Sequence, residues 1–364
     1  MTTAARTSAA RTSAAKLARP ALAATLGAAM LASTVTAGHA ADLVISNWSG
    51  YMAPDIAETF KAATGLSIEV VNHATNEEIM GKLVAGKGKG YDVVFVSSPF
   101  AEALHKMDLT APIDHEKVPN LSNLYPEAQQ LAYDPGNTFS VPYTWGTTGL
   151  CYRSDLVKGP VDSWYNLLKP DDQLKGKVTM LATDRWLMAA GLIPLGFSVN
   201  ATEPSQIADA TKLLIEAKKT LLAYDDTTFY SKLVSGEALL THAWDGWCNY
   251  GIAENPAIKF VVPKEGSDLW VDTIVVMKNS EKQDAAMKFI NFLLEPTNHA
   301  WAASNIDYKV PNKAAMELLP AEFLKQFPNM ATPPAELMKY ELMRDLGPAQ
   351  REYSRAVSEI KAAN

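Results

Sequence analysis

The chain has 364 residues and carries 33 Lys and Arg against 40 Asp and Glu, a net charge of −7. So acidic a balance argues against nucleic acid or an anionic lipid surface as a partner. The length is more than one hydrophobic core usually serves, so two lobes are expected.

At the N-terminus Arg6, Arg11, Lys16 and Arg19 stand without any acid. An uncharged run from Pro20 to Gly38 follows, rich in Ala, Leu and Met, and Gly38-His39-Ala40 precedes Ala41. A basic start, an apolar middle and small residues at the cleavage point describe a secretory signal peptide over residues 1–40. Its removal takes away four basic residues and deepens the acidic excess from 7 to 11. The mature chain is expected to be a soluble periplasmic monomer, since no later stretch approaches the roughly 18 apolar residues of a membrane span. Cys151 and Cys248 would then meet an oxidising compartment, but their spacing alone leaves open whether they pair.

Asp42 to Ile45 reads as a short strand, Pro54 to Ala63 as an amphipathic helix stopped by Gly65, and Leu66 to Val71 as a second strand. Asn76 caps a helix to Ala85, and Tyr91 to Val96 is an almost wholly apolar strand ending in Ser97-Ser98, which can cap the next helix. This alternation predicts a parallel sheet covered on both faces. After Val141 the pattern restarts, with strands near Gly149 to Tyr152, Lys177 to Leu181 and Leu239 to Ala243, and helices near Asp184 to Ile193 and Pro204 to Lys219. Strands at Ile258 to Val262 and Trp270 to Val276 follow, then helices at Glu281 to Leu294 and Pro348 to Lys361. Pro and Gly cluster at Asp134 to Gly136, Pro263 to Gly266 and Pro311, where the chain can cross between lobes. The expected division is 41–147 with 269–316 in the first lobe and 148–268 with 317–364 in the second.

Four separate stretches set a Trp or Tyr beside a small polar or acidic group: Asn47 to Tyr51, His242 to Trp247, Leu269 to Asp272 and Ile306 to Asn312. An ammonium leaving water loses hydration worth several kcal/mol, which it recovers only among ring faces and a carboxylate or several oxygen acceptors. The pattern therefore points to a binder of a small cationic amine. Trp48 and Tyr51, Ser97, and Trp244 each follow a predicted strand, where open α/β sheets hold ligands. Asp272 lies in an otherwise apolar strand, so it is either paired internally or reserved for a ligand cation. Asp245 and Asp184 stand at predicted helix starts, where an acid also serves as a cap.

No catalytic residue and no metal or cofactor site is expected. The six histidines fall into no HExxH or other metal spacing. There is no GxSxG elbow and no P-loop, and Gly86-Lys87-Gly88-Lys89-Gly90 lacks the phosphate-loop spacing.

The stretches NWSGYMAPD, ETFKAATGLSIEVV, YDVVFVSS, SVPYTWGTTGL, VPKEGSDLWVD, KFINFLLEP and YKVPNKAA, in this order, resemble the periplasmic solute-binding proteins of polyamine ABC transporters, of the spermidine- and putrescine-binding type. The resemblance implies the two-lobed α/β periplasmic-binding-protein fold, type II, with hinge crossovers and a cleft that closes over an extended amine. It also implies a permease partner in the inner membrane. Residue by residue, Trp48 and Tyr51 match the family's first-lobe aromatic pair, Ser97 its cleft serine, and Trp244 and Trp270 its ring walls. Asp272 matches the carboxylate that grips an amine, and Tyr308 a later aromatic.

The departures concern the ligand's far end. Thr183, Trp186 and Met343 stand where spermidine-binding members place acids and a glutamine, and Gly50 and Trp247 where putrescine-binding members place acids. Asp245 or Asp184 is then the candidate for a displaced carboxylate, and Arg185 or Arg344 for receiving a carboxylate from the ligand. A zwitterionic or quaternary ligand, and a role as a ligand-dependent sensor partner, remain as alternative readings.

Overall fold

The structure is a computed structural model that describes residues 41–363, so the expected signal peptide lies outside the described residues. Among the described residues no helix is long and apolar enough to cross a membrane. The chain opens with β1 (Leu43–Trp48), α1 (Ile56–Thr64), β2 (Ile68–His73), α2 (Asn76–Ala85), β3 (Val93–Ser97) and α3 (Ser98–Lys106). β1 lies parallel to both β2 and β3, and every residue of β3 is buried, as a strand covered on both faces requires. α1 ends at Gly65, whose left-handed φ of 76° closes the last turn onto the Lys61 carbonyl. The cap of α2 is Thr75 rather than Asn76: its hydroxyl accepts from the Glu78 amide while Glu78 accepts from the Ala74 amide. Asn76 is thereby freed for another task.

The remaining strands are β4 (Ser140–Arg153), β5 (Val178–Met180), β6 (Ala223–Tyr224), β7 (Leu240–Trp244), β8 (Ile258–Val261), β9 (Asp268–Val276) and β10 (Glu341–Leu342). The spatial order is β2-β1-β3-β9-β4-β7-β5-β6, with β8 beside β4 and β10 beside β9. β4 changes partners midway. Its residues Ser140 to Thr147 pair antiparallel with β9, and from Thr148 to Arg153 it pairs with β7 and β8. One strand thus belongs to the sheets of both lobes, and the crossover lies inside it. The expected crossing at Asp134 to Gly136 is instead a turn clamped by the Asp134 carboxylate, which accepts from Thr138, Phe139 and Ser140.

The helices between these strands are α4 (Tyr165–Leu168), α5 (Asp184–Leu192), α6 (Pro204–Lys218), α7 (Phe229–Ser235), α8 (Asp245–Glu254), α9 (Gln283–Leu293) and α10 (Pro296–Ile306). The last helix, Gln350–Ala362, packs on α5 and α6 with Tyr353, Ala356, Val357 and Ile360 inward.

Cys151 of β4 and Cys248 of α8 form a disulfide, with Cα atoms 5.8 Å apart and 97 residues between them in sequence. The bond ties α8 to the second half of β4. Replacing both cysteines by alanine is expected to lower the unfolding free energy by about 4 kcal/mol through the lost constraint on the unfolded chain. Urea unfolding of variant and parent checks it, and a loss below about 1 kcal/mol would show that the bond adds little to what packing already supplies.

Candidate functional site

Asp272 stands in the middle of β9, directly across from Ser97 on β3 and from Thr144 on β4. In a pleated sheet, opposed residues share a face, so one carboxylate meets two hydroxyls from its neighbouring strands. Ser97 Oγ donates to Asp272 Oδ1 at 2.6 Å, and the Tyr51 hydroxyl donates to Oδ2 at 2.7 Å. A hydroxyl carries one proton, so Thr144 Oγ1, 2.7 Å from the Tyr51 oxygen, donates to it in turn. On the other flank Asn76 donates through Nδ2 to Ser97 Oγ and accepts the Ser97 amide. Ser97 therefore occupies the cap position of α3 with its hydroxyl committed elsewhere. Every donor to Asp272 is neutral. Burial pushes its carboxyl above the usual range, against the pull of the Ser97 and Tyr51 hydrogen bonds.

Rings wall this carboxylate. Trp48 meets Tyr51 edge-on at 5.3 Å, Tyr51 meets Tyr308 at 5.7 Å, and Tyr308 meets Trp270 at 5.4 Å. Trp48 leans on His73, whose Nδ1 is hydrogen-bonded to Ser46, and the Tyr51 carbonyl accepts from Tyr143. Two glycines let the rings come this close. A Cβ on Gly246 would sit 2.4 Å from the Tyr308 ring, and one on Gly146 would sit 2.5 Å from the Trp270 ring and 2.4 Å from Asp245.

The structure brings together Trp48, Tyr51, Ser97, Trp270, Asp272 and Tyr308, and gives the other candidates different partners. The Trp244 ring lies at the end of β7 against Trp186, at 5.4 Å. Trp247 stacks obliquely with Tyr230 and Tyr250. Asp245 does not present a free carboxylate to a ligand: it is 1% exposed and ion-paired with Lys309, itself 3% exposed, and accepts from the Gly246 amide. Burial raises the Asp245 carboxyl and the Lys309 ammonium pulls it back. Asp184 accepts from Ser354. Arg185 is buried and donates to the Arg344 and Val199 carbonyls and to Asn200, while Arg344 forks onto Glu102. Arg344 thus has a carboxylate partner, whereas Arg185 meets only neutral acceptors and leaves its buried Nε unpartnered.

Sequence reasoning passed over three members. Lys309 follows the expected Tyr308 and is revealed by its ion pair with Asp245, and Thr144 by its register opposite Asp272. The third is Glu77, exposed at the start of α2. Its carboxyl is raised by desolvation and by the charges of Asp184 and Asp226. Among the described residues no group of three His, Cys, Asp or Glu is placed to hold a metal ion.

A sheet shared by two α/β halves, with a buried acid and a ring wall at the crossing strands, defines a solute-binding protein. The chain matches the model of the bacterial extracellular solute-binding proteins over residues 55–332 and belongs to that family. It is 32% identical over 341 residues to the spermidine/putrescine-binding periplasmic protein of Salmonella typhimurium, covering 91% of this chain and 96% of that one. It is 33% identical over 319 residues to the putrescine-binding periplasmic protein PotF of Escherichia coli, covering 83% and 85%. The crystal structure of the spermidine/putrescine ABC transporter substrate-binding protein PotD from Streptococcus pneumoniae superposes with a TM-score of 0.76 at 28% identity, over 88% of this chain and 98% of that one. The chain has the two-lobed periplasmic-binding-protein fold, type II.

The tight seat of Tyr308 is testable. Alanine favours a helix over glycine by about 1 kcal/mol, yet at position 246 its methyl would strike the ring, and overpacking costs about 1 to 3 kcal/mol. Gly246→Ala is expected to lower stability despite the better helix former. A rise in melting temperature would show that Tyr308 yields freely.

Proposed function

We propose that this protein is the periplasmic substrate-binding component of an ABC importer and takes a polyamine or related cationic amine. One observation carries the reading: Asp272 is desolvated, and all its donors are neutral hydroxyls. Its negative charge is held but not compensated, and an ammonium among ring faces is the group that completes it. The names of the relatives, which bind spermidine or putrescine, support the same class. Trp48, Tyr51, Trp270 and Tyr308 form the walls, Ser97 orients the carboxylate, and Trp244 with Trp186 extends the aromatic lining from the second lobe. The lobes divide at Thr147/Thr148, where β4 changes partners, so 41–147 with 269–316 moves against 148–268 with 317–364. Ligand contact with both shifts the population toward the closed arrangement, which the permease reads. Residues 1–40 direct export.

Asp272→Asn keeps the shape but removes the charge and turns one acceptor oxygen, facing Ser97 or Tyr51, into a donor. Amine affinity is expected to fall more than a hundredfold, about 3 kcal/mol, measured by titration calorimetry. Parent-like affinity would exclude Asp272 as the grip.

The pH dependence follows from the same group. Its folded pKa lies above the ordinary 3.8, so between the two values the folded protein binds more protons than the unfolded chain. Its contribution to ligand-free stability is therefore lost as pH rises through that window, and Asp272→Asn removes that loss. Amine affinity has the opposite trend, falling as acid protonates the carboxylate. Melting curves and binding titrations across the acid range check both signs; trends of the same sign would refute the assignment.

A further inference from the structure

Two carboxylates stand against the Trp270 and Tyr308 wall, and they are treated differently. Asp272 is surrounded by hydroxyls. Asp245 follows Trp244 at the carboxyl end of β7 and touches the wall: the same hypothetical Cβ on Gly146 would lie within 2.7 Å of both Asp245 oxygens and 2.5 Å from the Trp270 ring. Unlike Asp272, it is met by an ammonium from the chain itself. Lys309, next to Tyr308, places Nζ on Asp245 Oδ2, both side chains being buried.

We propose that Lys309 is a specificity-determining residue that occupies, from within the protein, the place a ligand's second ammonium would take on Asp245. This rests on the amine reading of Asp272 and narrows it. The ligand brings one cation, to Asp272, and its other end at the aromatic wall is uncharged. Arg344 is engaged with Glu102, and Arg185 spends its terminal nitrogens on the Arg344 carbonyl and Asn200. The preferred class is a primary amine with a neutral remainder.

The test compares n-butylamine with putrescine, which differ by one terminal ammonium, on the mature protein by titration calorimetry. The parent is expected to bind putrescine no more tightly than butylamine. Lys309→Met uncovers Asp245, and its apolar stem has room, since Lys309 lines a cavity of about 210 Å³ with Tyr125, Trp145 and Met330. The variant is expected to shift the affinity ratio toward putrescine by about tenfold or more. Lys309→Met combined with Asp245→Asn, with no carboxylate to uncover, is expected to lose that gain. Should Lys309→Met fail to fold, Asp245→Asn alone gives the mirror test. It frees the Lys309 ammonium, and γ-aminobutyrate is expected to gain on butylamine by about tenfold.

A parent that prefers putrescine by tenfold overturns the inference and leaves the amine reading intact; the second ammonium then belongs with Glu77, Asp184 and Asp226. A ratio unmoved in folded Lys309→Met, or no gain for γ-aminobutyrate in Asp245→Asn, overturns it equally. Failure of the parent to bind either amine removes the amine reading and the inference together.

Discussion

The structure depends on one half-buried carboxylate that meets neutral hydroxyls and no cation of its own. Asp272 is central in β9, between β3 and β4; it is half-buried, and the side chains that meet it are hydroxyls, none of them basic. Only dipoles remain, and the fold supplies them in a fixed direction. Thr144 donates to Tyr51, Tyr51 to Asp272, Asn76 to Ser97, and Ser97 to Asp272. Because each hydroxyl has a single proton, the geometry of the outer donors fixes the inner ones. This explains why Thr75 rather than Asn76 caps α2, and why Ser97 caps nothing. It also gives sense to the irregularity in β4 between Pro142 and Thr144, where the extra residue Tyr143 restores Thr144 to the face of Asp272 and sends the Tyr143 hydroxyl to the Tyr51 carbonyl.

What could be read from the sequence was local or periodic. The continuous apolar run of β3, the glycine that stops α1, and the restart of strand and helix after residue 141 are statements about neighbours in the chain, and they gave the fold class. The ring positions and Asp272 were legible because an acid inside an apolar strand and aromatics after strands are costly without a ligand. The beginning of β4 was not legible, because Pro142 interrupts the strand pattern and the bulge that accommodates it depends on the partner strand. The partner of Asp245 was not legible for a related reason. At a helix start Asp245 has the local signature of a cap or a free acid, and its counter-ion lies 64 residues away. Charge compensation is a property of the folded pair, and the sequence of one partner does not reveal it.

The crossing strands tie ligand contact to the relative placement of the lobes. Tyr308 belongs to the cage through Tyr51 and Trp270, yet it is seated on α8 at Gly246. α8 grips the segment that carries it at three further points: Asn249 donates to the Asp307 carbonyl, Tyr250 to the Ile306 carbonyl, and Asp245 holds Lys309. Asp307 itself takes a left-handed φ of 51°, which turns the chain from the end of α10 into this seat. The helix is held from its other side by the Cys151–Cys248 bond to β4.

Tyr308 joins the ring wall beside Asp272 to α8, so a ligand held there, as proposed, would gain different contact energy in open and closed arrangements. Such a difference is the only means by which binding can bias a conformational equilibrium. The buried pair of Asp245 and Lys309 strengthens the argument. It spans the two expected lobes with charges of opposite sign in a dry environment, so separating them without water would be costly. The contact between α8 and the Tyr308 segment is therefore costly to break.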